Sequence, residues 1–167
     1  EFVQVAEECG LVARLDHLVL DRALEQLVRW SAQLGPAPSM AINVSARHLA
    51  DPQLHRQVME VLHAYGLDPW RLVLEITETA VLHDTSGAAS VLAQLRAEGV
   101  RVALDDFGTG FTSIGQLWTL PVDIVKIDRS FVQHLHSDRV RTVVRLMVDA
   151  AHALGLEVIS EGVETME

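Results

Sequence analysis

Five short apolar runs alternate along this 167-residue chain with segments of helical period, and that alternation restricts the fold more than any other feature. The runs are Met40 to Val44, Leu72 to Ile76, Val100 to Leu104, Asp123 to Ile127 and Glu157 to Ser160. Each is too short for a helix and rich enough in Val, Ile and Leu for a strand covered on both faces. Between them, Leu15 to Leu34 predicts an amphipathic helix ended by Gly35-Pro36, with Leu15, Leu18, Val19, Arg22, Ala23, Gln26, Leu27 and Trp30 along one mostly apolar face. Asp51-Pro52 predicts the start of a second helix running to Tyr65, closed by Gly66. Thr85 to Glu98 predicts a third and Ser137 to Leu154 the last, with a short helical stretch before Pro121. A parallel pair needs a right-handed crossover, usually a helix, so the order implies an α/β protein with about five parallel strands. Such a set belongs either to an open doubly wound sheet or to part of a (β/α)₈ barrel. No strand opens into a Gly-x-Gly-x-x-Gly helix start, which counts against a dinucleotide fold.

Composition narrows the function. The chain is 49% apolar and 22% charged, the balance of a core-forming domain, and it has no run approaching the roughly 18 apolar residues of a membrane span. It shows no signal peptide, and Cys9 is its single cysteine, so no internal disulfide can form; both fit a cytoplasmic protein, or the cytoplasmic part of an anchored one. A net charge of −10 argues against DNA, whose backbone demands Lys and Arg.

Every run ends on a polar residue with chemical capacity. Asn43 follows Ala41-Ile42, Glu75 follows Leu72 to Leu74 with Glu78 one turn later, and Asp105-Asp106 follow Val102 to Leu104. Lys126, the only lysine, sits within Ile124 to Ile127, and Glu161 follows Val158 to Ser160. The carboxyl ends of parallel strands share one face, where α/β active sites are built. One acid after a strand is ordinarily a helix cap or a solvated turn. Five strands ending this way would crowd carboxylates that resist joint ionisation unless a hard cation such as Mg²⁺ or Mn²⁺ joins them. The eight histidines offer no His-Glu-x-x-His spacing and read as surface or helix-packing residues. Cys9 reads as a buried or half-buried side chain, and Trp30, Trp70 and Trp118 as core or rim packing, with Trp118 open to a dimer contact.

The segments Asn43-Val44-Ser45, Glu75-Ile76-Thr77-Glu78, Asp105 to Gly110, Lys126-Ile127-Asp128 and Glu161 to Glu164 resemble, in order and spacing, the successive motifs of EAL domains. Phe2 to Leu11 resembles the stretch that follows the Glu-Ala-Leu motif itself. The resemblance implies a modified (β/α)₈ barrel that opens cyclic di-GMP to linear pGpG with Mg²⁺ or Mn²⁺. It implies that Asn43, Glu75 and Asp105 bind one metal, that Asp105 bridges to a second held with Asp106, and that Lys126 and Glu161 position and deprotonate the attacking water. That is the two-metal pattern of phosphodiester cleavage, with ions about 3.5–4 Å apart. Glu78 would anchor the Gly-rich loop Phe107 to Ser113, which the family uses in metal binding and dimer contacts. The resemblance also implies a homodimer and a neighbouring sensor or GGDEF-type domain.

Set against that family, residues 1–167 correspond to the middle of the domain. The Glu-Ala-Leu strand with its metal-binding glutamate and the C-terminal strands fall outside, so a fragment of a longer protein is expected, weak or inactive in isolation. His48 stands where glutamine is usual, and Phe111-Thr112 replaces Tyr-Ser. Two further readings belong to different classes: a non-catalytic cyclic di-GMP receptor, and an enolase-like barrel, which the paired aspartates and the Gly-rich loop disfavour.

Overall fold

The computed structural model describes residues 2–35, 38–83, 87–110 and 114–164. Helices α1 (Phe2–Glu8) and α2 (Val12–Leu34) lead into β1 (Met40–Asn43), followed by α3 (Ala46–Leu49) and α4 (Leu54–Tyr65). A 3₁₀ turn, Pro69–Arg71, opens into β2 (Leu72–Thr77), then α5 (Glu78–His83), α6 (Gly87–Ala97) and β3 (Arg101–Phe107). The chain continues through α7 (Ile114–Leu117), β4 (Ile124–Ile127), α8 (Arg129–Gln133), α9 (Asp138–Ala153) and β5 (Glu157–Ser160).

The five strands form one parallel sheet in sequence order, β1 to β5, which is the α/β architecture the alternation implies. Period-two alternation sends Ile42, Leu74, Leu104 and Val125 to the helix-covered face, where they join the main core with Leu24 and Leu27 of α2 and Leu92 and Leu95 of α6. The opposite face carries a second, smaller cluster of Val73, Ala103 and Ile124. Both faces are therefore buried over the middle strands, and this is why those strands read as continuous apolar runs.

Sequence and structure part company in several places. The stripe of α2 that enters the core is Val12, Leu20, Leu24 and Leu27; Leu18, Val19 and Trp30 are exposed. The helix carries more apolar residues than one face can hold, and contacts with β1 and α4 decide which stripe is covered. Asp51 does not cap α4, which starts at Leu54; its carboxylate accepts the Gln53 N–H at 2.8 Å in the turn before it. Cys9 is exposed, as are Trp70 and Trp118, so neither the cysteine nor the tryptophans contribute to the core. Pro36, Thr85 and Phe111 to Ser113 lie outside the described residues. No helix among the described residues is long and apolar enough to cross a membrane.

Candidate active site at the carboxyl ends of the strands

Parallel pairing brings the polar residues at the strand ends to one rim. Asn43 stands opposite Glu75 in the β1–β2 register, and Thr77 opposite Asp105 in β2–β3. Glu161 extends the β4–β5 ladder by one step, its N–H donating to Ile127 O at 3.1 Å.

Lys126 joins three of these strands. Its Nζ lies 2.8 Å from Glu75 Oε1, 2.8 Å from Asp105 Oδ1 and 2.6 Å from Glu161 Oε1. The residue is buried within β4, whose other members Ile124, Val125 and Ile127 are all core residues. Burial alone would push the ammonium down, but the carboxylates of Asp105, Glu161 and Glu75 outweigh it and hold Lys126 above its ordinary value. One amine thus fixes one oxygen on each of three carboxylates and leaves their second oxygens available.

Asp106 reaches the same rim through a backbone irregularity. In a regular strand its side chain would turn away from that of Asp105. Between Leu104 and Phe107 the register with β4 slips, three residues of β3 matching two of β4, and Asp106 adopts a left-handed φ of 55°. One oxygen from each of Asp105, Asp106 and Glu161 then lies within 4.8 Å of the others. Partial desolvation, followed by the charges of Asp105, Asp128 and Glu161, raises the Asp106 carboxyl above its usual range against the opposing pull of Lys126. A cation there would relieve that repulsion, and a donor set made wholly of oxygen suits Mg²⁺ or Mn²⁺.

Glu78, the first residue of α5, is buried and accepts the Gly108 N–H at 2.9 Å, so it does touch the Gly-rich loop. Gly110 packs against the same carboxylate closely enough that a Cβ would collide with it. Gly108, with φ of +98°, sits over Met147 and Phe131. Asp128, to which sequence reasoning gave no role, caps α8 through the Ser130 N–H at 3.0 Å while adding its charge to the field at Asp106. Its place directly after Lys126-Ile127 was the available signal.

Comparison with known proteins points to the same family. The E. coli K12 cyclic di-GMP phosphodiesterase PdeR is 37% identical over 99% of the chain and 25% of its own length. The PaMucR phosphodiesterase in complex with c-di-GMP matches with a TM-score of 0.90 at 36% identity, over 99% of this chain and 67% of that one. The Klebsiella pneumoniae BlrP1 manganese/cy-diGMP complex matches at 0.82 and 31%, over 92% of this chain and 39% of that one. The chain spans only 20% to 28% of the length of the curated relatives it matches. The EAL domain family matches residues 1–167, and the chain belongs to that family.

Proposed function

We propose that this chain is the central part of an EAL domain that hydrolyses cyclic di-GMP to linear pGpG with Mg²⁺ or Mn²⁺. The observation that carries the reading is the meeting of Glu75, Asp105 and Glu161 on Lys126, with Asp106 bulged towards the same point. The named activity of PdeR and the ligands of the PaMucR and BlrP1 complexes support it. The function is assigned to the cytoplasm, where the nucleotide serves as a bacterial second messenger.

Asn43, Glu75, Asp105 and Asp106 would hold the metal ions. When bound, the ions polarise the phosphodiester and lower the pKa of water. The remaining chemistry belongs to the chain. Glu161 is the base: it takes a proton from water as the oxygen forms its bond to phosphorus and the P–O3′ bond breaks. That proton is then returned by way of solvent to the departing 3′ oxygen, which leaves as a hydroxyl. Lys126 aims Glu161 by its 2.6 Å contact, and contributes positive charge beside the negative charge that develops on the phosphoryl oxygens. Glu78 holds the Gly-rich loop at Gly108 against the rim.

The test is turnover of cyclic di-GMP with Mn²⁺, measured on the chain and on the full gene product that carries it. Release of pGpG by the full product is the expected result. Binding without turnover would move the assignment to a receptor, and neither binding nor turnover would defeat the ligand assignment.

A further inference from the structure

Of the strands bearing the site, β1 pairs among the described residues with β2, and the chain that leaves it is also supported from outside the sheet. That support comes from α2. Asp16 Oδ2 accepts both the Ser45 N–H at 3.0 Å and the Ser45 hydroxyl at 2.6 Å, across 29 residues of sequence. Ser45 is two residues beyond Asn43, and its Oγ caps α3 by accepting the His48 N–H at 3.3 Å. His48 is 2% exposed. Its Nε2 lies 2.8 Å from Gln57 Oε1, and its Nδ1 faces Asp16 Oδ2 at 3.4 Å, ion-pair reach without a formed hydrogen bond.

We propose that Asp16 is a positioning residue for Asn43, clamping the chain that leaves β1 through Ser45 and held in turn by His48. The inference rests on Asn43 being a metal ligand. An oxygen on each side of the ring favours the imidazolium, which carries a proton on both nitrogens. Burial opposes charge on both groups, yet Asp16 is held below the usual carboxylate value by His48 and Ser45, and His48 above the usual imidazole value by Asp16 and Gln57. The other charge acting on His48 is Asp51 in the turn before α4, while Arg14, His17 and Asp21 of α2 line the same open groove. Glu78 of α5, which packs against α3, turns instead to Gly108. As pH rises through the His48 value the ring loses a donor and the clamp loosens.

The experiment measures Mn²⁺ dissociation constants of the full gene product by titration calorimetry, with melting curves in EDTA alongside. Asp16→Ala is expected to weaken Mn²⁺ by at least about tenfold, the usual scale for a support behind a ligand. Asp16→Asn, which keeps an acceptor for Ser45, should restore most of that affinity. Asp16→Ala on an Asn43→Ala background should cost nothing further, since the effect travels through Asn43. The wild type should lose Mn²⁺ affinity on raising pH through the imidazolium range, and His48→Gln should remove that slope. Wild-type binding with Asp16→Ala within twofold, or an additive loss in the double variant, overturns the inference alone. A wild type that binds no Mn²⁺ defeats the metal site and the inference with it.

Discussion

Replacing Lys126 with methionine should separate the two things the amine does. The stem is replaced by a side chain of similar length, so packing against β4 is retained, while the three carboxylates of Glu75, Asp105 and Glu161 lose their common cation. The Lys126, Glu75 and Asp105 side chains are only 11–14% exposed, and removing one partner from a buried set costs about 3–5 kcal/mol. Glu161 is more open, at 30%, which favours the low end, about 3 kcal/mol. At about 2–4 °C per kcal/mol for a chain of this size, Tm should fall by about 6–12 °C in EDTA. Added Mn²⁺ should raise the Tm of the variant more than that of the wild type, because the ion supplies the missing charge. Lys126 is held above its ordinary value, so its contribution is complete below the unfolded lysine pKa of about 10.4 and is lost only as pH rises through the folded value. The gap between variant and wild type should therefore be flat from neutral to mildly alkaline pH. A variant melting within about 2 °C of wild type in EDTA would refute the reasoning, since the carboxylates would then not depend on the amine.

Asp105→Asn should abolish turnover with Mn²⁺ in any active form, the loss being about 10²-fold or more; an unchanged rate would mean the site is assigned wrongly. Gly108→Ala forces a Cβ to 2.7 Å from Met147 Cε and 2.8 Å from Phe131 at a φ of +98°, so it should cost about 1–3 kcal/mol of stability and lower turnover, read by melting and pGpG release. Arg71→Met removes donors that meet Pro38 O at 2.9 and 3.0 Å and Ser31 Oγ at 2.6 Å from a buried guanidinium, and should cost about 1–3 kcal/mol in chemical denaturation without altering Mn²⁺ affinity. The Asp16–His48 pair should make metal-free stability greatest between its two folded pKa values. The Asp16 contribution is lost as pH falls through its lowered value, and that of His48 as pH rises through its raised one, which a Tm-against-pH curve reads directly.

The strands were legible because burial on both faces leaves no polar position to confuse the period, as in Leu72 to Leu74 and Val102 to Leu104. The rim was legible because each strand carries its polar residues at the same end, so Glu75, Asp105, Lys126 and Glu161 can be picked out by position alone. The face of α2 was not, because Leu18 and Val19 are as apolar as Leu20 and Leu24, and only β1 and α4 choose between them. Nor was the Asp16–Ser45 contact, which joins residues 29 apart and leaves no periodic trace. Short elements such as α3 and α8 escaped for a related reason: their caps, Ser45 and Asp128, lie inside motifs whose other members drew the reading towards the site.

The adjacent aspartates show why a sequence can name a site without describing it. Read as a strand, Asp105 and Asp106 must point to opposite faces, and one of them would enter the core beside Leu104 at a prohibitive desolvation cost. Read as a loop, neither would be held. The extra residue that β3 carries between Leu104 and Phe107 resolves the conflict, and the left-handed backbone at Asp106 is how the chain accommodates it. A β-branched residue there would be a genuine strain, whereas aspartate visits that region more readily than most. The residue type that tolerates the bulge is thus also the one whose carboxylate the bulge delivers to Asp105 and Glu161, so backbone geometry and site chemistry select the same side chain.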